Sequence, residues 1–232
     1  MIVLGIDTAT PATVVGLTLA DSSTLQARDD PTGEQRPGHA TRLLPLASAL
    51  LAEADLAWNR LQRIAVGVGP GTFTGLRIGI ATARGLSQSL GIPLVGVSSL
   101  RALAHAIPGE DVGVLAVIDA RRGEIFAAAY DGSSELLAPR PLPPDAIAHL
   151  LERASVQRTL ERWIAVGDGA VRYRESIERQ GVLVPPSDSE LHRIRASAVC
   201  ALGELATVGD SPVLPDYLRR PDAEIALEGA AS

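Results

Sequence analysis

Two aspartates stand where a strand gives way to a turn. Asp7 closes VLGID and is followed by Thr8-Ala9-Thr10-Pro11; Asp119 closes VLAVID and is followed by Ala120-Arg121-Arg122. A carboxylate at a strand end, beside the N–H groups of a tight turn, can hold a metal ion and nucleotide phosphates when two such hairpins face one cleft. A phosphate-holding turn wants glycine directly after the aspartate so that the backbone can approach. Pro11 has no N–H to offer, and two arginines crowd the second turn. Asp7 and Asp119 therefore also read as turn-forming residues.

The glycine-rich GVGPGTFTG at 67–75 offers a second chemistry. Gly69, Gly71 and Thr72 could cradle an anion at a helix N-terminus with Asp7 and Thr8 close by and Arg77 near the phosphates. The same glycines and Pro70 also suffice for an abrupt strand-to-helix turn, with Thr74 as its cap and Phe73 filling a core gap. Beyond the loop, Gly75, Gly79, Ala83 and Ser87 recur every four residues. Such a stripe lets a partner helix approach closely, or lets the helix pack on the chain's own sheet.

Composition removes other chemistries. All 21 basic residues are Arg, which closes Walker-type phosphate loops and Schiff-base catalysis, both of which need Lys. With 27 acidic residues the net charge is −6, so stand-alone binding to nucleic acid is disfavoured. The single Cys200 can form neither an intrachain disulfide nor a thiolate cluster. Asp7 and Pro11 interrupt the first apolar run, which argues against a secretory signal, and no uncharged apolar stretch is long enough to span a bilayer. A cytoplasmic protein is expected. Aromatic residues make up 3% of the chain, leaving few rings for base stacking.

The elements that position these residues follow from periodicity. Strands are predicted at Ile2–Ile6 and Thr13–Leu19 as a hairpin, near Leu25, at Ile64–Val68 and at Pro93–Val97. Helices are predicted over about His39–Asp55, with Pro45 kinking it or marking its first turn, and over Leu76–Leu90, with a short one capped by Ser98 or Ser99 and running to Ala106. After Pro108 and Gly109 the pattern restarts. A second hairpin, Val112–Asp119 with Glu124–Tyr130, is followed by a proline-rich linker at 139–144, a helix to about Ala154, a strand at Ile164–Val166 and a helix near Val171–Arg179. Ser187–Glu190 has capping-box spacing, and Leu191, Ile194, Ala198, Leu202 and Leu205 trace one face of a last long helix. A frayed tail is expected from Ala223.

VLGIDTATPATVVGL from Val3 parallels VLAVIDARRGEIFAA from Val114, matching Ile6-Asp7 to Ile118-Asp119, and IAVGVG at 64–69 parallels IAVGDG at 164–169. The order strand, acidic turn, strand, helix, IAVG strand, glycine turn occurs twice. This predicts a duplicated α/β fold of two lobes, 1–107 and 108–219, the last helix packing back on the first lobe and 220–232 forming a flexible tail.

That plan resembles the two-lobed actin-like ATPase (ASKHA) fold. More specifically, GVGPGTFTGLRIG with the run through residue 100, the opening GIDTAT, the VIDARRGEIF hairpin and PDYLR at 215–219 resemble the TsaB (YeaZ) family. The family supplies a bacterial subunit of the machinery that makes threonylcarbamoyladenosine in tRNA. The resemblance implies a non-catalytic paralogue of the catalytic subunit TsaD, with no cofactor. It would dimerise, bind TsaD, support recruitment of the ATPase TsaE, and meet tRNA only through these partners, away from any membrane. It also implies docking through the helices at 39–55 and 76–90, with Leu43, Leu46, Leu50, Gly75, Leu76, Gly79, Ile80 and Ala83 as contacts. Charging Gly79 or Ala83 should then abolish TsaD binding and spare the fold.

TsaD carries two metal-holding histidines four apart, and the matching places here are Ser99 and Leu103. His39 and His105 fall in different predicted helices and read as solvated or capping residues, so no metal site is expected. A small-molecule kinase of the same superfamily and a metallopeptidase-like protein are the alternatives. The hairpin turns speak against the first and the missing histidine pair against the second.

Overall fold

The computed structural model describes residues 1–32, 35–105, 107, 112–132, 134–157, 160 and 162–219. The expected break at Pro108 and Gly109, the end of the short helix at Ala106 and the tail from Ala223 lie outside them.

Strands β1 (Val3–Asp7), β2 (Thr13–Thr18) and β3 (Thr24–Asp29) form an antiparallel meander. Helix α1 (His39–Glu53) leads to β4 (Arg63–Gly69), which pairs parallel with β1; α2 (Phe73–Leu90) leads to β5 (Leu94–Ser98) beside β4, and α3 (Ser99–Ala104) follows. The sheet order is β3-β2-β1-β4-β5. Alternation along β1 divides it between two layers, as the two-residue period of a strand requires. Leu4 and Ile6 join Leu43, Leu50, Ile64 and Ile80 on the α1/α2 side, whereas Val3 joins the opposite core.

The second lobe repeats the plan. Strands β6 (Val112–Arg121), β7 (Glu124–Asp131) and β8 (Ser134–Leu142) form a meander, and β9 (Arg162–Val166) pairs parallel with β6, in the order β8-β7-β6-β9. Helix α4 (Ile147–Gln157) covers one face, and α5 (Asp168–Arg172) and α6 (Arg174–Glu178) follow β9. Residues 139–142 of the expected linker belong instead to β8. Its Pro139 and Pro141 are tolerated because β8 is an edge strand, where a missing N–H leaves no ladder bond unmade. The expected helix at 171–179 is two short helices that break at Tyr173.

The last helix is also shorter than expected. Residues 190–192 make a single 3₁₀ turn with Ser189, not Ser187, as its cap, and α7 spans only Ala196–Leu205. His192 anchors the turn: its Nδ1 accepts from the Gly167 N–H at 3.2 Å and its Nε2 meets the Pro185 carbonyl at 3.0 Å. The Ile194 carbonyl accepts from Arg28 Nη1 at 3.0 Å. Helix α7 lies across β1, β2 and β4, and a Cβ on Gly5 would stand 2.6 Å from Cys200 Sγ, so the close approach needs glycine. Arg63 Nη1 meets the Gly203, Glu204 and Ala206 carbonyls at 2.8–3.0 Å and satisfies the helix end. The layer between the two sheets contains Val3, Ala65, Leu100, Val114, Ile118 and Val199, so the lobes share a core. Among the described residues no helix is long and apolar enough to cross a membrane.

Candidate functional site

At the tip of the first hairpin Asp7 is fully buried. Its Oδ1 accepts from the Ala9 N–H at 2.9 Å and its Oδ2 from Ser99 Oγ at 2.7 Å. Burial pushes its pKa up; the Ser99 and Ala9 bonds pull the other way. Beside it, Thr8 Oγ1 donates to the Gly75 carbonyl at 2.8 Å, and the Thr72 N–H donates to the Ala9 carbonyl at 2.8 Å. The glycine loop and the start of α2 are therefore seated on the turn between β1 and β2.

Asp119, at the second hairpin, lies in a different setting. Its Oδ1 accepts from the Arg121 N–H at 2.9 Å, and its Oδ2 meets Arg121 Nη1 at 3.2 Å and Arg172 Nη1 at 3.1 Å. The Asp119 N–H donates to Asp168 Oδ1 at 3.1 Å, and burial raises the pKa of Asp168. These residues line a cavity of about 470 Å³ between the lobes, with Thr10, Pro11, Arg28, Asp30, His192 and Arg193. Pairing explains why the two aspartates differ. Leu4 pairs with Ile64 and Val114 with Ile164, so Asp7 is equivalent to Val117, not to Asp119. Asp119 lies two residues, roughly 6.6 Å, further along its strand and reaches the cleft.

The residues grouped as an anion site fall in two places: the glycine loop and Thr72 sit against the Asp7–Ala9 turn, and Asp119 lies apart from them at the cavity. Of Asp7, Thr8, Gly69, Gly71, Thr72, Arg77 and Asp119, only Asp119 lines the cavity. Helix α2 starts at Phe73, before the expected Leu76, with Thr72 as cap residue and Thr74 exposed in its first turn. Phe73 fills no core gap; it stacks on Tyr217 at 5.1 Å. The Arg77 guanidinium lies 3.5 Å over the Phe73 ring, and Arg77 Nε donates to Tyr217 Oη at 2.8 Å. Tyr217 belongs to the PDYLR run, a sequence signal that went without an assigned role.

The expected docking contacts also face inward. Leu43, Leu50, Gly75, Leu76, Gly79, Ile80 and Ala83 are buried in this chain's own core, and Leu46 is half-buried. A Cβ on Gly79 would stand 2.2 Å from Thr8 Oγ1, so the small-residue stripe serves the first hairpin. The exposed positions of α1 have another character. Ala40, Thr41, Leu44, Pro45, Ser48, Ala49 and Ala52 make a continuous arc of uncharged residues at 100° per position, with Arg42 and Glu53 at one margin. Pro45 sits in the second turn of an unbroken helix, on this outward arc. On α2 the arc continues in Thr74, Ala81 and Gly85, while Arg77, Arg84 and Gln88 occupy the other flank.

His39 is neither solvated nor a cap. It is buried at the first position of α1, where Nδ1 meets Thr13 Oγ1 at 2.9 Å and Nε2 is unpartnered. Burial pushes its pKa down, against the opposing pull of Asp29. His105 is exposed at the end of α3. Ser98 caps α3 by accepting from the Arg101 N–H at 3.3 Å, and Leu103 is core. Among the described residues no group of three His, Cys, Asp or Glu side chains is placed to hold a metal ion.

The family model of TsaD, tRNA N6-adenosine threonylcarbamoyltransferase, matches residues 34–161. The tRNA threonylcarbamoyladenosine biosynthesis protein TsaB of Escherichia coli is 30% identical, over 99% of both chains. An uncharacterized Mycobacterium leprae protein is 32% identical over 96% of this chain, which spans 56% of that protein's length. Among solved structures, YeaZ from Pseudomonas aeruginosa superposes with a TM-score of 0.74 at 32% identity, covering 94% of this chain and 99% of that one. A ROK hexokinase from Thermus thermophilus, 14% identical with a TM-score of 0.53 over 88% of this chain and 99% of its own, shares the actin-like fold.

Proposed function

This chain belongs to the TsaB (YeaZ) family, and on that premise we propose that it is a non-catalytic subunit of tRNA threonylcarbamoyladenosine synthesis that docks TsaD through the outer faces of α1 and α2. The observation that carries the reading is the uncharged arc on α1, on which Leu44 is 44% exposed. A helix that meets only water places charges on its outward positions; one that meets another helix does not. In isolation a second copy of the chain would cover the same arc, giving a homodimer that TsaD displaces. TsaE then joins through the assembled pair, tRNA is met through the partners, and the protein acts in the cytoplasm.

The absence of a catalytic role in this proposal is supported by what the two aspartates do. Asp7 is consumed in holding the first hairpin, and Asp119 orients Arg121 and Arg172. Neither presents an unengaged carboxylate to a reacting atom. The docking face is tested by Leu44→Arg. Captured on immobilised cognate TsaD, the variant should lose binding while its unfolding midpoint stays within about 0.5 kcal/mol of wild type, as for an ordinary surface change. Retained capture would remove α1 from the interface.

A further inference from the structure

The PDYLR run is the sequence motif that the docking reading leaves unused, and its contacts reach both lobes. On the first lobe the Asp216 N–H donates to the Val68 carbonyl at 2.7 Å, and Arg84 of α2 donates to the Val213 carbonyl. Tyr217 is held by Phe73 and Arg77, as described above. On the second lobe Arg219 Nη1 donates to the Ala120 carbonyl at 3.2 Å and to Glu124 Oε2 at 3.0 Å. These two groups flank the Arg121-Arg122-Gly123 turn, in which all three residues have positive φ. Leu218, between the two anchors, packs on the core layer that the lobes share, as does Ala120.

We propose that residues 213–219 are a strap that ties the first turns of α2 to the β6–β7 hairpin, making the two a single mechanical unit across the lobes. Arg77 and Arg84 lie seven residues apart on one flank of α2 and grip the strap at two points, leaving the uncharged flank open. At the far end Arg219 fixes the turn from which Arg121 and Asp119 enter the cleft. A displacement of α2 is thereby handed to the lining of the cleft. That consequence for partner binding rests on the docking reading above, whereas the strap itself does not.

Hydrogen exchange of the full chain, without any partner, tests the strap through crossed effects. Tyr217→Ala removes a grip on α2, and Arg219→Ala removes the grip on the hairpin. If the strap transmits, Tyr217→Ala speeds exchange of the 120–124 amides in the second lobe. Arg219→Ala likewise speeds exchange of the 72–78 amides in the first, each by about fivefold or more, the lower end of measured coupling between sites. Effects confined to each variant's own side, or no effect, would overturn the proposal. Should Tyr217→Ala fail to fold, Tyr217→Phe keeps the ring stack, loses only the bond to Arg77, and carries the same test with the same two outcomes.

Discussion

The Ser99 hydroxyl donates to Asp7 Oδ2 at 2.7 Å, joining the start of α3 to the end of β1 where neither side chain meets solvent. Gly67 makes room for the pair, since a Cβ there would stand 2.0 Å from Asp7 Oδ2. A carboxylate whose sequence position invites metal or phosphate chemistry is thus a structural bond between two elements of one lobe. Removing the donor with Ser99→Ala leaves that carboxylate buried and under-bonded, at a cost of about 1.5–3 kcal/mol, readable by urea denaturation. An unchanged midpoint would mean the bond is idle.

Protonation of Asp7 gives a signed pH effect. Burial holds its folded pKa above 3.8, so between 3.8 and the raised folded value the native chain keeps a proton that the unfolded chain releases. The stability contributed by this group therefore falls as pH rises through that window. Asp7→Asn keeps an acceptor for Ser99 and removes the charge. Relative to wild type it should gain stability from about pH 4 to pH 7; a difference that is constant with pH would contradict the assignment.

His39 works in the opposite sense. Its folded pKa lies below 6.5, so as pH falls through 6.5 the unfolded chain takes up a proton first, and the stability contributed by the neutral ring is lost towards the folded pKa. Between about pH 7.5 and 5.5, wild type should lose more stability than His39→Asn. Equal losses would mean that the ring is already solvated in the fold.

The small-residue stripe of α2 predicts an effect on folding rather than on contact. Gly79→Ala places a methyl group against Thr8 and should cost about 1–3 kcal/mol, as overpacking does, with the double variant Thr8→Ala/Gly79→Ala recovering part of it. Charging Gly79 or Ala83 should lower the melting temperature and not spare the fold. A Gly79→Ala variant as stable as wild type would show that the helix can shift away from the hairpin.

Much of this architecture was legible in the sequence. Apolar runs mark β1, β2 and β6, and the paired IAVG runs mark the duplication, because a strand buried on both faces writes its burial into residue type. The features that were not legible depend on partners distant in the chain. Pro139 and Pro141 read as a linker until β8 is seen to pair on one side only. The periodicity of 191–205 reads as one helix, yet His192 is bound to Gly167 and Pro185 and the Ile194 carbonyl to Arg28, so the chain straightens between them. Matching Asp7 to Asp119 by letters missed the two-residue offset that only the pairing with β4 and β9 reveals. The residues implied as docking contacts are the apolar inward ones, whereas the outward arc of α1, on which the proposed docking rests, is marked in the sequence only by a lack of charge.

The proposed role of this chain is to support threonylcarbamoyl transfer without performing it. Reconstitution with cognate TsaD, TsaE, threonylcarbamoyl-AMP and tRNA, measuring modified adenosine with each component left out in turn, tests it most directly. No modification by this chain alone is expected, and modification by the full set should depend on its presence. Modification by the chain alone, or full modification in its absence, would contradict it.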